Sequence, residues 1–547
     1  MVVVSYLGNK LQQLYNSSFF AISCFCRFIW LLLTCFSHYV LQRMNHFSIE
    51  LFYFLFLSSI GFLILNSTHP RTTKFTPKKL DLFFTSVSAS TVSSMSVVEM
   101  EVFSNTQLII MTILMFIGGE VFTSMVGLHV SHHQRSVKKG GRVNDSMSDL
   151  GIPANFHDQQ IELGTIANPE FESSKSDIFD FGNYDPEPVA HTEELKCKSI
   201  KFLGFVALGY LFVVQILGVV SVLVYLNVIS SAKKVLEQKG LKTFTFSLFT
   251  VVSTFGSCGF VPTNENMMVF RKNSGLLLLL IPQILLGNNL YPSALRFSVW
   301  AIGKFKKKAE TRYLLNNGHD IRFHHFLSHL HSSYLVVTVL GFILVQFVLF
   351  SALEWGSDSL NALNHYQKFI GVLFQTINTR HTGETIVDLS TIGAASLVLI
   401  VVMMYLPPYT SFLPLSAKGI KCQGNSDQRK KKSNKVLLDN LVFSQLSYLV
   451  IFIILVCITE RKKIKQDPLN FNVLNIIVEV ISAYGNVGFT MGYSCDRLLK
   501  PDGVCENKWY GFSGKWSDEG KLILIVVMFF GRLKKFNMTG GKAWKLL

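Results

Sequence analysis

The feature that most constrains this chain is an alternation that occurs four times. A long apolar run is followed by a short semi-polar stretch ending at Gly or Ser, and then by a second long apolar run. The stretches are Thr91-Val92-Ser93-Ser94-Met95, Ser257-Cys258-Gly259-Phe260, Arg380-His381-Thr382-Gly383-Glu384 and Asn486-Val487-Gly488-Phe489. The paired runs are Ile49–Leu65 with Gln107–Val130, Phe202–Val228 with Leu276–Ile302, Tyr334–Ala352 with Ala394–Leu415, and Leu441–Ile458 with Leu522–Phe530. Most run to roughly 17–25 residues, enough to cross a bilayer; the last must recruit neighbouring polar residues to do so. Hydrocarbon penalises unpaired backbone, so an irregular polar segment at membrane depth survives only inside protein or beside water. Four such segments predict a ring of backbone oxygens around one ion path.

Before each Gly or Ser lies a helical stretch too short to cross: Asp81–Thr91, Phe244–Thr254, Tyr366–Asn378 and Phe471–Tyr484. A half-helix of this kind aims the negative end of its dipole at the membrane centre, which favours a cation. Glycine after it permits the dihedrals that turn carbonyls inward.

The bulk numbers agree with a polytopic all-α membrane protein. The 547 residues are 49% hydrophobic with 47 Phe, and the mean hydropathy is +0.36. The formal charge of +16 is gathered in clusters beside apolar runs: Arg135 to Arg142, Lys304 to Arg312, Lys418 to Lys432, and Arg532 to Lys535. That is the pattern of cytoplasmic anchoring. Aromatic interleaving typical of RNA-binding surfaces is absent, so no nucleic-acid partner is expected. Two crossings per unit return the chain to its starting side, which puts both termini and all linkers in the cytoplasm. Arg71 to Lys79 and Arg461 to Lys465 go against this rule, and the four inner clusters outvote them.

The organisation that follows is an N-terminal region over 1–48, then four helix–pore loop–helix units. These cover 49–130 (pore loop 81–105), 199–303 (244–266), 333–417 (365–388) and 441–536 (471–494). Linkers over 131–198, 304–332 and 418–440 and a tail over 537–547 complete the chain. The stretch Phe19 to Leu41 lacks the basic start and cleavage site of a signal peptide and reads as a membrane-associated helix. The linker from Ser131 to Lys198 is polar, acidic toward its end and without periodicity, which predicts disorder. The Arg429-Lys430-Lys431-Lys432 run reads as a solvated anchor rather than a lipid-headgroup site.

The quoted stretches, with Asp81-Leu-Phe-Phe-Thr-Ser-Val-Ser-Ala, Glu101-Val-Phe-Ser-Asn-Thr-Gln, Cys258-Gly-Phe-Val-Pro-Thr-Asn-Glu-Asn and Ile481-Ser-Ala-Tyr-Gly-Asn-Val-Gly-Phe, resemble the plant high-affinity potassium transporter (HKT) family, relatives of the microbial Trk and Ktr proteins. The resemblance covers about Phe52 to the C-terminus. It implies four helix–pore-loop–helix units around one pore, a plasma-membrane homodimer with one pore per subunit, and passage of monovalent cations without covalent chemistry or a cofactor. It also implies that Ser94, Gly259, Gly383 and Gly488 form the selectivity filter, flanked by Val92, Ser93, Ser257, Cys258, His381, Thr382, Asn486 and Val487. In the family, Ser at the first position goes with sodium selectivity and Gly at all four with potassium permeation. The expectation is a passive, sodium-selective transporter, with a sodium–potassium symporter or potassium transporter as the alternative. Na+ and membrane lipid are its expected partners, and no metal other than the permeating ion is expected. A multi-pass enzyme would need a nucleophile or metal constellation, and none is evident.

Physics is compatible with the serine. Its side chain adds bulk and a hydroxyl to a ring otherwise without Cβ atoms, which narrows the site or breaks its regularity. Read without the family, Ser94 is one loop serine among several.

Other residues carry two readings each. Glu265, Glu99, Glu101 and Glu384 suit either an acidic outer mouth that gathers cations or helix N-termini stabilised by the dipole. Arg532 suits either a cation barrier in the inner pore, as the resemblance suggests, or a snorkelling anchor beside Lys534 and Lys535; Lys521 is a weaker barrier candidate. Gly393-Ala394-Ala395 suits close helix packing rather than the gate that the resemblance suggests near this helix, and Pro407-Pro408 should break or kink it. The histidines at 324, 325, 329 and 331 read as a surface cluster rather than a zinc site, since no carboxylate pair accompanies them. Cys495 and Cys505 bracket a polar outer loop, either bridged or as two free thiols. The sequons at Asn16, Asn144 and Asn537 fall on the inner side, and Asn66 lies at a helix end.

Overall fold

A computed structural model describes residues 46–71, 76–129, 187–306, 308–321, 323, 325–410, 445–498, 505, 507 and 511–537. The apolar N-terminal stretch, residues 131–186, the 411–444 linker, Asn16 and Asn144 lie outside the described residues. Within them the regular structure is helical. In the first part of the chain α1 is His46–Ser67 and α2 Lys79–Ser90. Then α3, Asn105–Gly118, is followed by α4, Glu120–His129. Next come α5 Glu187–Val228, α6 Ser230–Gln238 and α7 Thr243–Phe255. They are followed by α8 Ser274–Gly287, α9 Tyr291–Lys306 and α10 Ala309–Asn316. The third part has α11 His329–Glu354, α12 His365–Asn378 and α13 Ala394–Tyr405. The last has α14 Gln445–Thr459, α15 Arg461–Gln466, α16 Val473–Gly485 and α17 Asp518–Asn537.

Among the described residues, α1, the Glu194–Val228 part of α5, and α11 are long and apolar enough to cross a membrane. Two further candidate spans are bent pairs: α3 and α4 meet at 53°, and α8 and α9 at 84°. The sequence reading of Gln107–Val130 and Leu276–Ile302 as single helices is therefore corrected. Glycine explains where the first bend falls, since Gly119 interrupts the helix between α3 and α4. In the second, Asn288 and Asn289 follow Gly287 and break the ladder. The described part of Ala394–Leu415, up to residue 410, is helical to Tyr405, with Pro407 and Pro408 just beyond, as proline's missing N–H predicts. The final helix spans 20 residues because Asp518 to Lys521 and Arg532 to Asn537 extend its apolar centre. The stretch after Ser131 is also helical from Glu187 onward, where disorder was expected. The 304–332 segment is more than a linker. Leu314 of α10, Ile321 and Phe326 are buried against Leu203, Tyr291 and Leu295.

The four short helices α2, α7, α12 and α16 sit inside the molecule, and the long ones surround them. Ser86, Val87, Phe249, Val251, Phe374, Gln375, Val478 and Glu479 are all fully buried. Small residues allow the close approach. Ser86 donates to the Ser58 carbonyl (2.7 Å), and the Ser58 and Ser90 hydroxyls bond at 2.6 Å, joining α1 to α2. The outward faces of the long helices stay apolar, with Phe56, Leu63, Ile216, Val228, Val337 and Leu344 exposed. A helix apolar on both its buried and its outer face suits lipid.

Candidate ion-selectivity site

Each short helix ends where its sequence stops favouring helix, and three end in the same way. Backbone N–H groups of Ser93, Cys258 and Val487 reach back five residues to the carbonyls of Ser88, Ser253 and Ser482 (2.8, 2.9 and 2.9 Å). The residue before each adopts a left-handed conformation: Val92 (φ 50°), Ser257 (φ 61°) and Asn486 (φ 48°). This is the Schellman pattern that closes a helix C-terminus. Glycine usually supplies the left-handed residue, and a non-glycine there costs about 1–2 kcal/mol. At Asn486 the side chain offsets part of that cost. Its Nδ2 donates to Ser93 Oγ (2.6 Å) and to the Met528 carbonyl (3.2 Å), joining the last segment to the first.

Two residues further along, Ser94 (φ 54°), Gly259 (φ 88°), Gly383 (φ 66°) and Gly488 (φ 99°) are all left-handed. The reason three are glycine is steric as well as conformational. A Cβ built on Gly259 would overlap the Thr382 carbonyl oxygen, one on Gly383 the Val487 carbonyl oxygen, and one on Gly488 the Ser94 side chain. The second segment thus abuts the third, the third the fourth and the fourth the first, in one circuit of neighbours. Ser94 alone carries a Cβ there, and its side chain occupies the space beside Gly488.

Ser94, Gly259, Gly383 and Gly488 line one cavity of about 470 Å³, walled further by residues of the segments that follow each, among them Ser96, Asn264, Thr385 and Thr490. Of the flanking residues, Val92, Ser93, Cys258, Thr382, Asn486, Val487 and His381 are all buried behind this surface. Ser257 accepts from Asn288 Nδ2 (2.9 Å), so the break between α8 and α9 holds the second segment.

The acidic candidates separate. Glu384 is fully buried and accepts from the Thr254 hydroxyl of α7. It lies behind the circuit, neither at a mouth nor at a helix N-terminus, so both sequence readings are corrected. Glu479 plays a similar part on α16. It accepts from the Thr490 hydroxyl and from the Met491 N–H, the latter at 3.3 Å. Gln375 accepts from Ile386 N–H and the Thr385 hydroxyl (both 3.1 Å). Sequence reasoning missed Glu479 and Gln375, although a lone polar residue in an apolar half-helix was the signal available.

Glu265 does stand at the cavity wall, but it is paired. Lys239 Nζ lies 2.7 Å from Glu265 and 2.8 Å from Glu101. Desolvation opposes the charge on Lys239, and hydrogen bonds to Glu101 and Glu265 outweigh it, so its pKa is raised. Cys495, between the cavity-lining residues Ser494 and Asp496, forms a disulfide with Cys505, 5.9 Å between Cα atoms.

Arg532 is 1% exposed. It donates to the Gly118 carbonyl and lies over the Phe54 ring at 5.4 Å, so it does not snorkel to the membrane surface. Lys521 pairs with Asp81 at 2.7 Å in the interior. Gly393 caps α13, its N–H bonded to Glu354 Oε1 (2.8 Å). His325 is not a surface residue: its ring lies 5.5 Å from that of Tyr409, and Nδ1 is 3.9 Å from Glu120. No group able to hold a metal was found among the described residues.

The sequence pattern of the TrkH family, described as a cation transport protein, matches residues 189–539. The cation transporter HKT1;3 of Oryza sativa subsp. japonica is 47% identical over 516 residues, 93% of each chain. The sodium transporter HKT1 of Arabidopsis thaliana is 48% identical over 484 residues, 88% of this chain and 91% of that one. The crystal structure of the potassium transporter TrkH from Vibrio parahaemolyticus aligns over 93% of this chain and 88% of its own, with 16% identity and a TM-score of 0.46. The relatives are transporters rather than enzymes, and their names fit the Ser-type first subfamily. This chain belongs to the HKT family of membrane cation transporters, within the wider TrkH family.

Proposed function

We propose that this protein conducts Na+ passively and selectively across the plasma membrane. In this reading four helix–pore loop–helix units surround one pore, with eight spanning helices, four re-entrant loops and both termini in the cytoplasm. Two copies form a dimer with a pore in each, embedded in lipid. The observation that carries the reading is that Ser94, Gly259, Gly383 and Gly488 line one shared cavity. These residues come from four segments as many as 394 positions apart in number, and each follows a buried half-helix whose dipole favours a cation. The path needs no resident cofactor, since the ring itself replaces water around the ion.

Selectivity rests on Ser94. The Cβ and hydroxyl of Ser94 crowd one quadrant of a ring that is glycine elsewhere. The smaller ion then loses less on exchanging water for protein oxygens. The name of the Arabidopsis relative, a sodium transporter, agrees with this reading.

The test is two-electrode recording of the full chain in oocytes. A tenfold change in external Na+ should shift the reversal potential by about 59 mV, the value for a single charge, while exchange of external K+ leaves it unmoved. A reversal that follows K+ alone would identify a potassium transporter. A current that needs both ions would identify a symporter.

A further inference from the structure

The proposed outer mouth contains a cation that never leaves. Glu101 and Glu265 come from separate segments, 164 positions apart, and both reach the ammonium of Lys239. The three side chains are 23%, 28% and 23% exposed for Glu101, Glu265 and Lys239. Their geometry is fixed from every side. Glu101 N–H donates to Asn264 Oδ1 (3.0 Å), and Asn264 N–H donates to Glu101 Oε1 (3.2 Å), so the two acidic segments are braced without the lysine. The backbone of Lys239 is held separately. Arg71 Nη2 donates to the carbonyls of Lys239 and Gly240 (3.0 and 3.1 Å). Arg71 N–H in turn donates to the Val102 carbonyl, beside Glu101 (2.8 Å).

Two carboxylates facing one point form the donor set of a hard cation. Here that point is filled by a tethered ammonium, and Glu265 is also part of the cavity wall. We propose that Lys239 is a determinant of conductance and divalent sensitivity: its ammonium occupies a two-carboxylate cation site at the rim and denies it to Ca2+, Mg2+ and entering Na+. The triad then carries a net charge of −1 instead of −2. This inference rests on the functional reading above, because only a conducting path has a rim to protect. The double brace between Glu101 and Asn264 argues against a purely structural lysine, since the two segments stay joined when it is removed.

The test uses the full chain in oocytes with surface protein measured. Removing one charge near a water-filled entrance should raise local cation concentration about twofold at low salt. Lys239→Gln is therefore expected to about double the Na+ current near 10 mM ionic strength, where the screening length is about 30 Å, and to match the wild type near 100 mM, where it is about 10 Å. External Ca2+ should inhibit Lys239→Gln at a roughly tenfold lower concentration than wild type, a change of about 1.4 kcal/mol. Lys239→Arg should behave as wild type. Adding Glu101→Gln and Glu265→Gln to Lys239→Gln should remove the new Ca2+ sensitivity. Wild-type currents and Ca2+ response in a surface-expressed Lys239→Gln would overturn the proposal. If that variant fails to reach the surface, Glu265→Gln alone decides. It should roughly halve the current at low ionic strength, and an unchanged current there would also overturn it. A wild type without any current would instead overturn the functional reading beneath it.

Discussion

The segment leading to Gly383 is built differently from the other three. The segments before Ser94, Gly259 and Gly488 close their helices with a left-handed residue at Val92, Ser257 and Asn486. In each, a carbonyl at the end of the half-helix (Ser90, Phe255 or Tyr484) meets a glycine of the following long helix (Gly118, Gly287 or Gly531), where a Cβ would overlap it. The third segment has neither device. Thr382 and Gly383 both reach back to the Asn378 carbonyl (3.2 Å each), and the only left-handed residue is Gly383 itself. Where the other segments have Thr91, Gly256 and Gly485, this one has Arg380, 1% exposed. The guanidinium donates to the Pro407 carbonyl (2.7 Å) and lies 5.1 Å from the Phe342 ring centroid. The Pro407 carbonyl lies just past the helix end and accepts from this charged donor as well as from the Thr410 hydroxyl (2.7 Å). Three segments are held by backbone contact at glycine, and one by a charge-assisted hydrogen bond at a broken helix. The ring thus departs from fourfold regularity twice, in a side chain at Ser94 and in its support at Arg380.

Breaking the circuit itself should have the largest effect. Gly259→Ala places a methyl group into the Thr382 carbonyl at a left-handed position. Overpacking and strain of several kcal/mol are expected there. Surface-normalised Na+ current should fall more than a hundredfold, whether through lost folding or a blocked path. Retained current would mean that the segments do not abut. Next is the third support. Arg380→Gln removes a charged hydrogen bond of about 1.5–3 kcal/mol, and should cut current about tenfold or more. Arg380→Lys keeps the charge without the fork and should recover only part of it. An equally large effect from Thr91→Val, at the matching position of the first segment, would contradict the proposed difference in support. The smallest effect should come from Asn486→Ala, which loses the link to Ser93 and places alanine at φ 48°. Its cost is about 1–2 kcal/mol in thermal stability, and Asn486→Gly should restore the backbone part only.

Much of this was legible in the sequence because local chemistry carried it. The half-helices were found within one or two residues of α2, α7, α12 and α16, since apolar runs flank them and Gly or Ser ends them. The break at Pro407-Pro408 followed from proline alone. The breaks at Gly119 and Asn288 did not, because glycine and asparagine inside an apolar run are tolerated in many helices. Glu384 was misread because an acid in the polar stretch after Gly383 resembles a surface residue, and only packing against Thr254 reveals a buried one. Lys239 went unnoticed for a related reason. Its partners lie 26 and 138 positions away, and no local pattern marks a lysine that reaches two acids. Charge pairing across segments is set by the fold, whereas helix ends are set by neighbours in the chain.

The central claim is that the one side chain in a glycine ring decides between sodium and potassium. Reversal potentials of wild type and Ser94→Gly, measured in paired Na+ and K+ solutions with surface protein matched, test it most directly. The account predicts that wild type ignores K+ and that Ser94→Gly raises relative K+ permeability about tenfold or more, a change of at least about 1.4 kcal/mol in discrimination. A Ser94→Gly protein that conducts normally and still ignores K+ would contradict it.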